Sequence, residues 1–255
     1  MRSPIPSRVG LLLAAALVLS APVFAQTIVP GSSNPFLAGM PNGSSCCSGD
    51  SAPAQSPVLA PGSLTPGTSL TFAVTGGVDN TGAPPTLPPD GGGCCFSTSS
   101  NNGIAGANWP INALVGVFLD ASQPNLTPAP SPLDFSPSGV GTNFTALSPG
   151  LKQAFFIGDG LTGNGSGSVQ NFIIPAGATR LFLGTSDGVG WFNNSGSFSV
   201  TVGAGVGIPT PTPTVAPPTA TPTVSAAVVP TLSLPMLAIL SLALAGLALL
   251  LIRRS

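Results

Sequence analysis

The feature that most constrains this chain is a long apolar run from Met236 to Ile252, which carries no charge and is followed by Arg253 and Arg254. At about 1.5 Å of rise per residue, a helix over 232–252 covers about 30 Å, the thickness of the hydrocarbon core of a bilayer. The run has no polar face, which disfavours a buried core helix, and paired arginines are typical of the cytoplasmic end of a span. The sequence therefore predicts a C-terminal transmembrane helix over 232–252.

The N-terminus has the pattern of an export signal. Arg2 and Arg8 precede an apolar stretch over 9–19, and Val23-Phe24-Ala25 resembles a small-residue cleavage site. An N-terminal span is the alternative, but the apolar stretch is short for it. We expect a signal peptide over 1–25, with the mature body outside the cytoplasm.

Composition restricts the chemistry of that body. The chain contains no His, Tyr or Glu, and residues 26–230 hold two cations, Lys152 and Arg180, against seven aspartates, a net charge of −5. Without a basic patch, we expect no nucleic-acid partner. Without histidine, the chain has neither a Ser-His-Asp triad nor a His-ligated zinc site, and its aspartates stand at no telling spacing. We therefore predict that the protein is not an enzyme.

The four cysteines form two adjacent pairs, Cys46-Cys47 and Cys94-Cys95. In an oxidising compartment an even number of cysteines indicates disulfides, and four cysteines allow three connectivities. A cross-pairing of the two doublets would tie the N-terminal segment to a long loop. A thiolate metal site is the alternative, but the C-x-x-C spacing that would support it is missing. We predict structural disulfides and leave their pairing open.

The density of Gly, Pro and Ser divides the exported part into segments. Residues 26–66 are rich in turns and are expected to cover the domain loosely, while 67–203 hold nearly all strand-like segments. The Pro/Thr-rich stretch over 204–230 cannot pack a core and reads as an extended stalk. Residues 231–255 form the tail that contains the transmembrane helix.

The segment 67–203 has the pattern of an all-β, antiparallel β-sandwich. In Ser197–Val202 apolar and hydroxyl side chains alternate strictly, as in a half-buried strand. Short strands separated by Gly/Asn turns, without helical periodicity, are typical of a sandwich with a single core. The other predicted strands are Leu70–Val74, Ala113–Leu119, Gln153–Ile157, Val169–Ile174 and Thr179–Leu183. The expected core phenylalanines are Phe72, Phe118, Phe155, Phe156, Phe172, Phe182 and Phe198.

The loop from Asp187 to Phe198 has the most chemical content. It supplies a carboxylate, a glycine-rich turn and the amides of Asn193 and Asn194, which are oxygens of the kind that Ca²⁺ uses. Asn-Asn-Ser-Gly is also common as a plain turn, because Asn and Gly tolerate positive φ. On local composition, both interpretations stay open.

A family resemblance favours calcium. The run Asn-Asn-Ser-Gly-Ser-Phe-Ser-Val over 193–200, with Asp187 upstream, resembles the C-terminal motif of the small calcium-dependent galactophilic lectins of bacteria. The resemblance covers most of 67–203, through 67–80, 112–119 and 169–201. It implies a β-sandwich of galactose-binding, jelly-roll-like type that holds a calcium ion, and the ion itself coordinates sugar hydroxyls.

The resemblance also implies a set of site residues. The metal ligands would be side-chain oxygens of Asp187, Asn193 and Asn194, with main-chain carbonyls of Asn80 and Gly190. The two asparagines would also face the carbohydrate. The loop before Asn193 is one residue shorter than in the lectins, and residues 83–95 lack the His and Gln that hold the sugar there. The resemblance therefore predicts calcium but no preference for galactose. Trp191 could stack on a sugar face or serve as a packing residue.

The tail resembles a second class of sequence. Val229-Pro230-Thr231-Leu232, a hydrophobic span and Arg253-Arg254 resemble the IPTL-type C-terminal sorting signals of Gram-negative bacteria, with Val in place of the usual Ile. Such tails imply a sortase-like membrane protease as a partner. We expect a protein of the cell envelope or cell surface, anchored by its tail or released after cleavage.

Three functions remain after these observations. The first is a calcium-dependent, carbohydrate-binding module of the cell surface or extracellular matrix. The second is a structural surface protein whose sandwich binds no sugar. The third, an extracellular hydrolase, has the least support from composition.

Overall fold

The computed structural model describes residues 26–85 and 87–205, and in these residues the chain is built from short β-strands. The helical elements of this part are three single 3₁₀ turns, Pro35–Leu37, Pro124–Leu126 and Trp191–Asn193. The strands are β1 (Thr27–Pro30), β2 (Ser45–Cys46), β3 (Asp50–Ser51), β4 (Val58–Leu59), β5 (Ser69–Asp79), β6 (Phe96–Thr98), β7 (Ala107–Trp109), β8 (Leu114–Leu119), β9 (Leu133–Asp134), β10 (Ala146–Leu147), β11 (Ala154–Phe156), β12 (Leu161–Gly163), β13 (Ser166–Val169), β14 (Asn171–Ile173), β15 (Arg180–Thr185) and β16 (Ser195–Ala204). The expected all-β class is confirmed.

The larger sheet has five strands in the order β1-β16-β5-β14-β10. Its centre is the antiparallel pair of β5 and β16, which are hydrogen-bonded from Leu70–Ala204 to Asp79–Ser195. The alternation predicted for β16 is confirmed, because Phe198, Val200 and Val202 are buried while the hydroxyl residues between them are half-exposed. The sheet is not purely antiparallel, since β10 pairs with β14 in parallel.

The second sheet has four strands in the order β11-β8-β15-β4, all antiparallel. Every residue of β8 is buried, because the sheet packs on one face and is covered on the other. Aromatic side chains join the two sheets: the Phe155 ring of β11 lies 5.8 Å from the Phe172 ring of β14. The result is a sandwich-like arrangement around one apolar core.

The predicted core phenylalanines are buried, with one exception. Phe182 lies on the outer side of β15 and is only partly buried, and the Arg180 guanidinium lies 5.6 Å from its ring centre. This corrects the assignment of Phe182 to the core. The reason is the two-residue period of a strand: Leu181 and Leu183 take the inward positions, so Phe182 points outward.

Residues 26–66 form part of the fold rather than a loose cover. Strand β1 pairs with β16, and β4 pairs with β15, so this segment supplies an edge strand to each sheet. Val29, Phe36 and Leu37 are fully buried in the common core. The expectation of a loose covering is therefore wrong, because short apolar stretches of this segment complete a core built by residues far along the chain.

The predicted strands are found close to their expected places, with one division. The expected strand Val169–Ile174 is interrupted at Gln170, whose backbone N–H donates to the Gly160 carbonyl and starts a separate hairpin with β12. Within 26–85 and 87–205, no helix has the length and hydropathy needed to cross a membrane. The predicted signal peptide, stalk and helix over 232–252 lie outside the described residues.

Candidate functional site

The ends of strands from both sheets meet near Asp187. In the second sheet the pairing of β8 with β15 continues past Leu114–Thr185: Ser186 donates to the Ala113 carbonyl, and Asn112 donates to the Ser186 carbonyl at 2.8 Å. The Ser186 hydroxyl fixes this corner by accepting from the Ala113 N–H at 2.7 Å. Asn112 therefore lies beside the residue that precedes Asp187.

The larger sheet brings two more asparagines to the same place. Its central pair ends at Asp79 and Ser195, so the next residues, Asn80 and Asn194, leave the sheet side by side. The Asn112 side-chain amide donates to Asn80 Oδ1 at 3.1 Å and links the two sheets. We refer to Asn80, Asn112, Asp187 and Asn194 as the oxygen cluster.

Three side-chain oxygens of the oxygen cluster are buried without a hydrogen-bond donor: Asn112 Oδ1, Asp187 Oδ2 and Asn194 Oδ1. Each buried acceptor without a partner costs about 1–3 kcal/mol, and a charged one costs more. All three atoms are acceptors and cannot satisfy one another, while the side-chain N–H groups of Asn112 and Asn194 donate to Asn80 Oδ1 and to the Gly31 carbonyl. A bound cation would satisfy all three, and carboxylate and amide oxygens are the ligands that Ca²⁺ prefers.

The electrostatics of Asp187 favour a nearby positive charge. The side chain is 4% exposed, and this burial is the main cause that raises the pKa of Asp187 above its ordinary value. The Gly188 N–H and the nearby Asn194 amide lower this pKa, while the charge of Asp50 raises it. Burial therefore destabilises the charged form of Asp187, and no positive side chain among the described residues offsets this effect. A divalent ion at the carboxylate would stabilise the charged form and lower its pKa.

The two cationic side chains of the described segments are engaged elsewhere. Arg180 donates to the carbonyls of Asp120 and Ser122, and Lys152 donates to the Pro128 carbonyl at 2.7 Å. Neither contact lies in the oxygen cluster. The negative charge of Asp187 is therefore balanced by hydrogen bonds alone.

A second buried carboxylate, Asp50, holds the loop that follows Asp187. Its oxygens accept from the backbone N–H groups of Trp191 at 3.1 Å and Phe192 at 2.9 Å, and from the Asn34 side chain at 3.2 Å. Burial is the largest cause at this group and raises the pKa of Asp50, while these hydrogen bonds lower it. Asp50 could not be predicted from the sequence, because Trp191 and Phe192 lie 141 and 142 residues away along the chain.

The remaining predicted ligands belong to the turn rather than to the oxygen cluster. Gly190 is buried with a left-handed backbone, φ 80°, and its carbonyl accepts from the Asn193 N–H at 3.1 Å. The Asn193 residue is exposed and its carbonyl lies near Gly82. Asn112 was not predicted as a site residue either, because it follows Trp109 and Pro110 in a segment that has no oxygen-rich motif.

Trp191 has a structural place in this conformation. It is fully buried, its indole N–H donates to the Thr185 carbonyl at 2.8 Å, and its ring meets Phe36 edge-on at 5.9 Å. A buried ring offers no face to a sugar, so the packing role holds and the stacking role is corrected. The exposed aromatic side chain of this loop is Phe192, at 57% exposure.

The cysteines are bonded within each doublet, Cys46 to Cys47 and Cys94 to Cys95. A bond between adjacent residues ties no distant segments together, unlike the cross-pairing of the two doublets. The N-terminal segment is instead attached by hydrogen bonds, among them the Gly190 N–H to the Cys47 carbonyl at 3.3 Å. In this pairing, no cysteine of the described ranges is free.

Among residues 26–85 and 87–205, no group of three or more Cys, His, Asp or Glu side chains is arranged for a metal. The oxygen cluster is of a different kind, with one carboxylate and three amides. Comparison with protein-family models found no match, and comparison with curated proteins found no similar sequence.

Proposed function

We propose that this chain is an exported surface or matrix protein whose β-sandwich is a calcium-dependent carbohydrate-binding module. The observation that carries the proposal is that three oxygens of the oxygen cluster, where the ends of two sheets meet, are buried without a hydrogen-bond donor. In this proposal Asp187, Asn194 and Asn112 hold the ion by their side chains, and the Asn80 and Gly190 carbonyls and Asn193 remain candidate ligands from the lectin resemblance. The ion would supply a positive charge with open positions for sugar hydroxyls.

The surroundings of the oxygen cluster support a ligand site. The loop from Asp187 to Asn194 reaches the surface, because Asn193 is exposed and Val189 is 61% exposed. Its backbone is fixed by Asp50 through Trp191 and Phe192, so its geometry is set before any ligand arrives. A pre-organised loop loses less entropy on binding than a mobile one.

A second candidate function is a structural surface protein in which calcium only clamps the sheets. The burial of the three oxygens and of Trp191 favours this alternative, because neither is open to a sugar in the described conformation. The absence of His and Gln from residues 83–95 favours it too. In both candidates the protein is exported and reaches the envelope by its tail, and neither is an enzyme.

Two measurements on the full-length protein in detergent separate the candidates. Calorimetric titration with CaCl₂ tests the oxygen cluster, and a glycan array with and without EDTA tests sugar binding. Calcium binding with a chelator-sensitive glycan signal supports the first candidate, and calcium binding without any glycan signal supports the second. Failure to bind calcium contradicts the first candidate and removes the calcium clamp from the second. Asp120→Asn is the matched control for Asp187→Asn, since it removes the same charge far from the cluster.

A further inference from the structure

A cleft of about 600 Å³, lined by none of the four residues of the oxygen cluster, lies between the loop at Asp90–Gly92 and the segment 135–144. Its apolar lining includes Phe135 and Phe144, and its polar lining includes Thr142 and Asn143. A volume of this size accommodates a small organic ligand. The mixture of aromatic and neutral polar groups suits a ligand with both C–H faces and hydroxyls.

The walls of the cleft are held in place by hydrogen bonds from buried groups. The Gln170 side chain is fully buried and donates to the carbonyls of Thr142 at 2.7 Å and Phe144 at 2.9 Å. On the opposite wall, the Gly92 N–H donates to the Ile111 carbonyl at 2.8 Å. The cleft is therefore preformed.

Asp90 is the single charged residue that lines this cleft. Its Oδ1 accepts from the Asp159 N–H at 3.2 Å, whereas its Oδ2 is buried without a donor. The neighbouring Asp159 carboxylate already accepts from the N–H groups of Leu161 and Gly165. Two carboxylates thus stand together, and neither Lys152 nor Arg180 is near to balance them.

We propose that this cleft binds a small hydroxylated organic ammonium compound, such as an amino sugar, with the ammonium group at Asp90. An ammonium group supplies the donors and the positive charge that the Asp90 carboxylate lacks. Aromatic faces attract both C–H groups and cations, and the neutral polar lining can hydrogen-bond hydroxyls. A divalent metal ion would need about six oxygens, which a wall built partly of Phe, Pro and Val does not supply.

The same geometry makes binding depend on pH. Burial, and then the charge of Asp159, raise the pKa of Asp90 to about 6, while the Asp159 N–H lowers it. Asp159 is the charged group that faces Asp90 from the packed segments, since 110–113 and 135–144 carry none. Only the ionised carboxylate attracts an ammonium group, so affinity is expected to fall about ten-fold from pH 7 to pH 5.

The test uses the full-length protein in detergent with EDTA, so that the calcium proposal does not enter. Glucosamine, glucose and N-acetylglucosamine are titrated at pH 7 by ligand-observed NMR, because the three share a ring and differ in charge. We expect glucosamine to bind at least about ten-fold more tightly than either neutral sugar, with the pH dependence given above. Asp90→Asn keeps Oδ1 and the side-chain shape, and it should abolish the preference.

A second variant keeps the test valid if Asp90→Asn does not fold. Asn143→Lys, at an exposed position of the rim, places a tethered ammonium near Asp90 and should weaken glucosamine binding by competition. Equal affinity for glucosamine and glucose would overturn the proposal, as would a preference that survives Asp90→Asn. If glucosamine binding required calcium, the binding site would be the oxygen cluster, and this result would also overturn the proposal.

Discussion

The side-chain amide of Asn112 donates to Asn80 Oδ1 across 3.1 Å, and this hydrogen bond joins the end of one sheet to the end of the other. Asn112 Oδ1 stays buried and without a donor, as do Asp187 Oδ2 and Asn194 Oδ1. In the proposed calcium site, the ion would add a second link between these two sheet ends.

Replacement of Asn112 by Gly should weaken calcium binding without unfolding the protein. Asn112 has φ 59°, which Gly adopts without strain, so the backbone is preserved while one ligand oxygen is removed. For a calcium concentration of 100 times Kd, wild type should gain about 2.7 kcal/mol, or about 5–10 °C in Tm. The variant should gain less than half of this in thermal melts with calcium and with EDTA. An unchanged gain would remove Asn112 from the site.

Asp187→Asn should lower the stability of the protein only when calcium is present. With EDTA at pH 7 the variant should be equal to or more stable than wild type, because burial opposes the Asp187 charge. With saturating calcium it should be less stable, since the charged ligand is gone. The measurement is Tm in both conditions, with Asp120→Asn as control. Equal loss in both conditions would make Asp187 a structural residue only.

Asp50→Ala should destabilise the protein by about 2–4 kcal/mol, because it leaves the N–H groups of Trp191 and Phe192 without an acceptor. Asp50→Asn keeps one acceptor oxygen and should cost less. Hydrogen exchange of the loop from Gly188 to Asn193 is the local readout, and it should be faster in both variants. An unchanged exchange rate would show that the loop is held by other contacts.

The raised pKa of Asp90 predicts that the free energy of unfolding falls as the pH rises above about 4. Its folded pKa of about 6 lies above the ordinary 3.8, so unfolding releases a proton in this window and stability declines as pH rises from about 4 to 6. Because Asp90 is partly exposed, we expect a decline on the order of 1 kcal/mol. In Asp90→Asn, the free energy of unfolding measured by urea denaturation should depend less on pH in this range. A pH dependence parallel to that of wild type would contradict the raised pKa of Asp90.

The fate of the tail is tested by mass spectrometry of the protein from its native host. If Val229-Pro230-Thr231-Leu232 is a sorting signal, the mature chain should end before Leu232. A permanent anchor predicts a mature chain that retains 232–255. The two outcomes differ by more than twenty residues, so intact mass separates them.

The fold class could be predicted from the sequence because strand periodicity is local. In β16 the alternation of Phe198, Val200 and Val202 with hydroxyl residues is complete within six residues. The role of residues 26–66 was not predictable in this way. Phe36 and Leu37 stand between Gly and Pro turns without any period, and only their packing against distant strands makes them core.

The candidate site was predicted in part for the same reason. Asp187 and Asn194 lie in one short loop, so their types and spacing were visible together. Asn112 and Asp50 reach that loop only through the pairing of β8 with β15 and through contacts across 141 residues. Trp191 lies in the same short loop, but the sequence did not show that its ring is buried in the core.

The pairing of β1 with β16 sets an order for folding. The first strand of the described chain is hydrogen-bonded to the last, Thr27 opposite Val200 and Pro30 opposite Ser197. The larger sheet therefore cannot form completely until nearly all of the domain has been synthesised. Strand β1 is unpaired until its partner, about 170 residues downstream, is available. Contacts of such high sequence separation slow folding, so this domain should fold after synthesis of its last strand rather than progressively from its N-terminus.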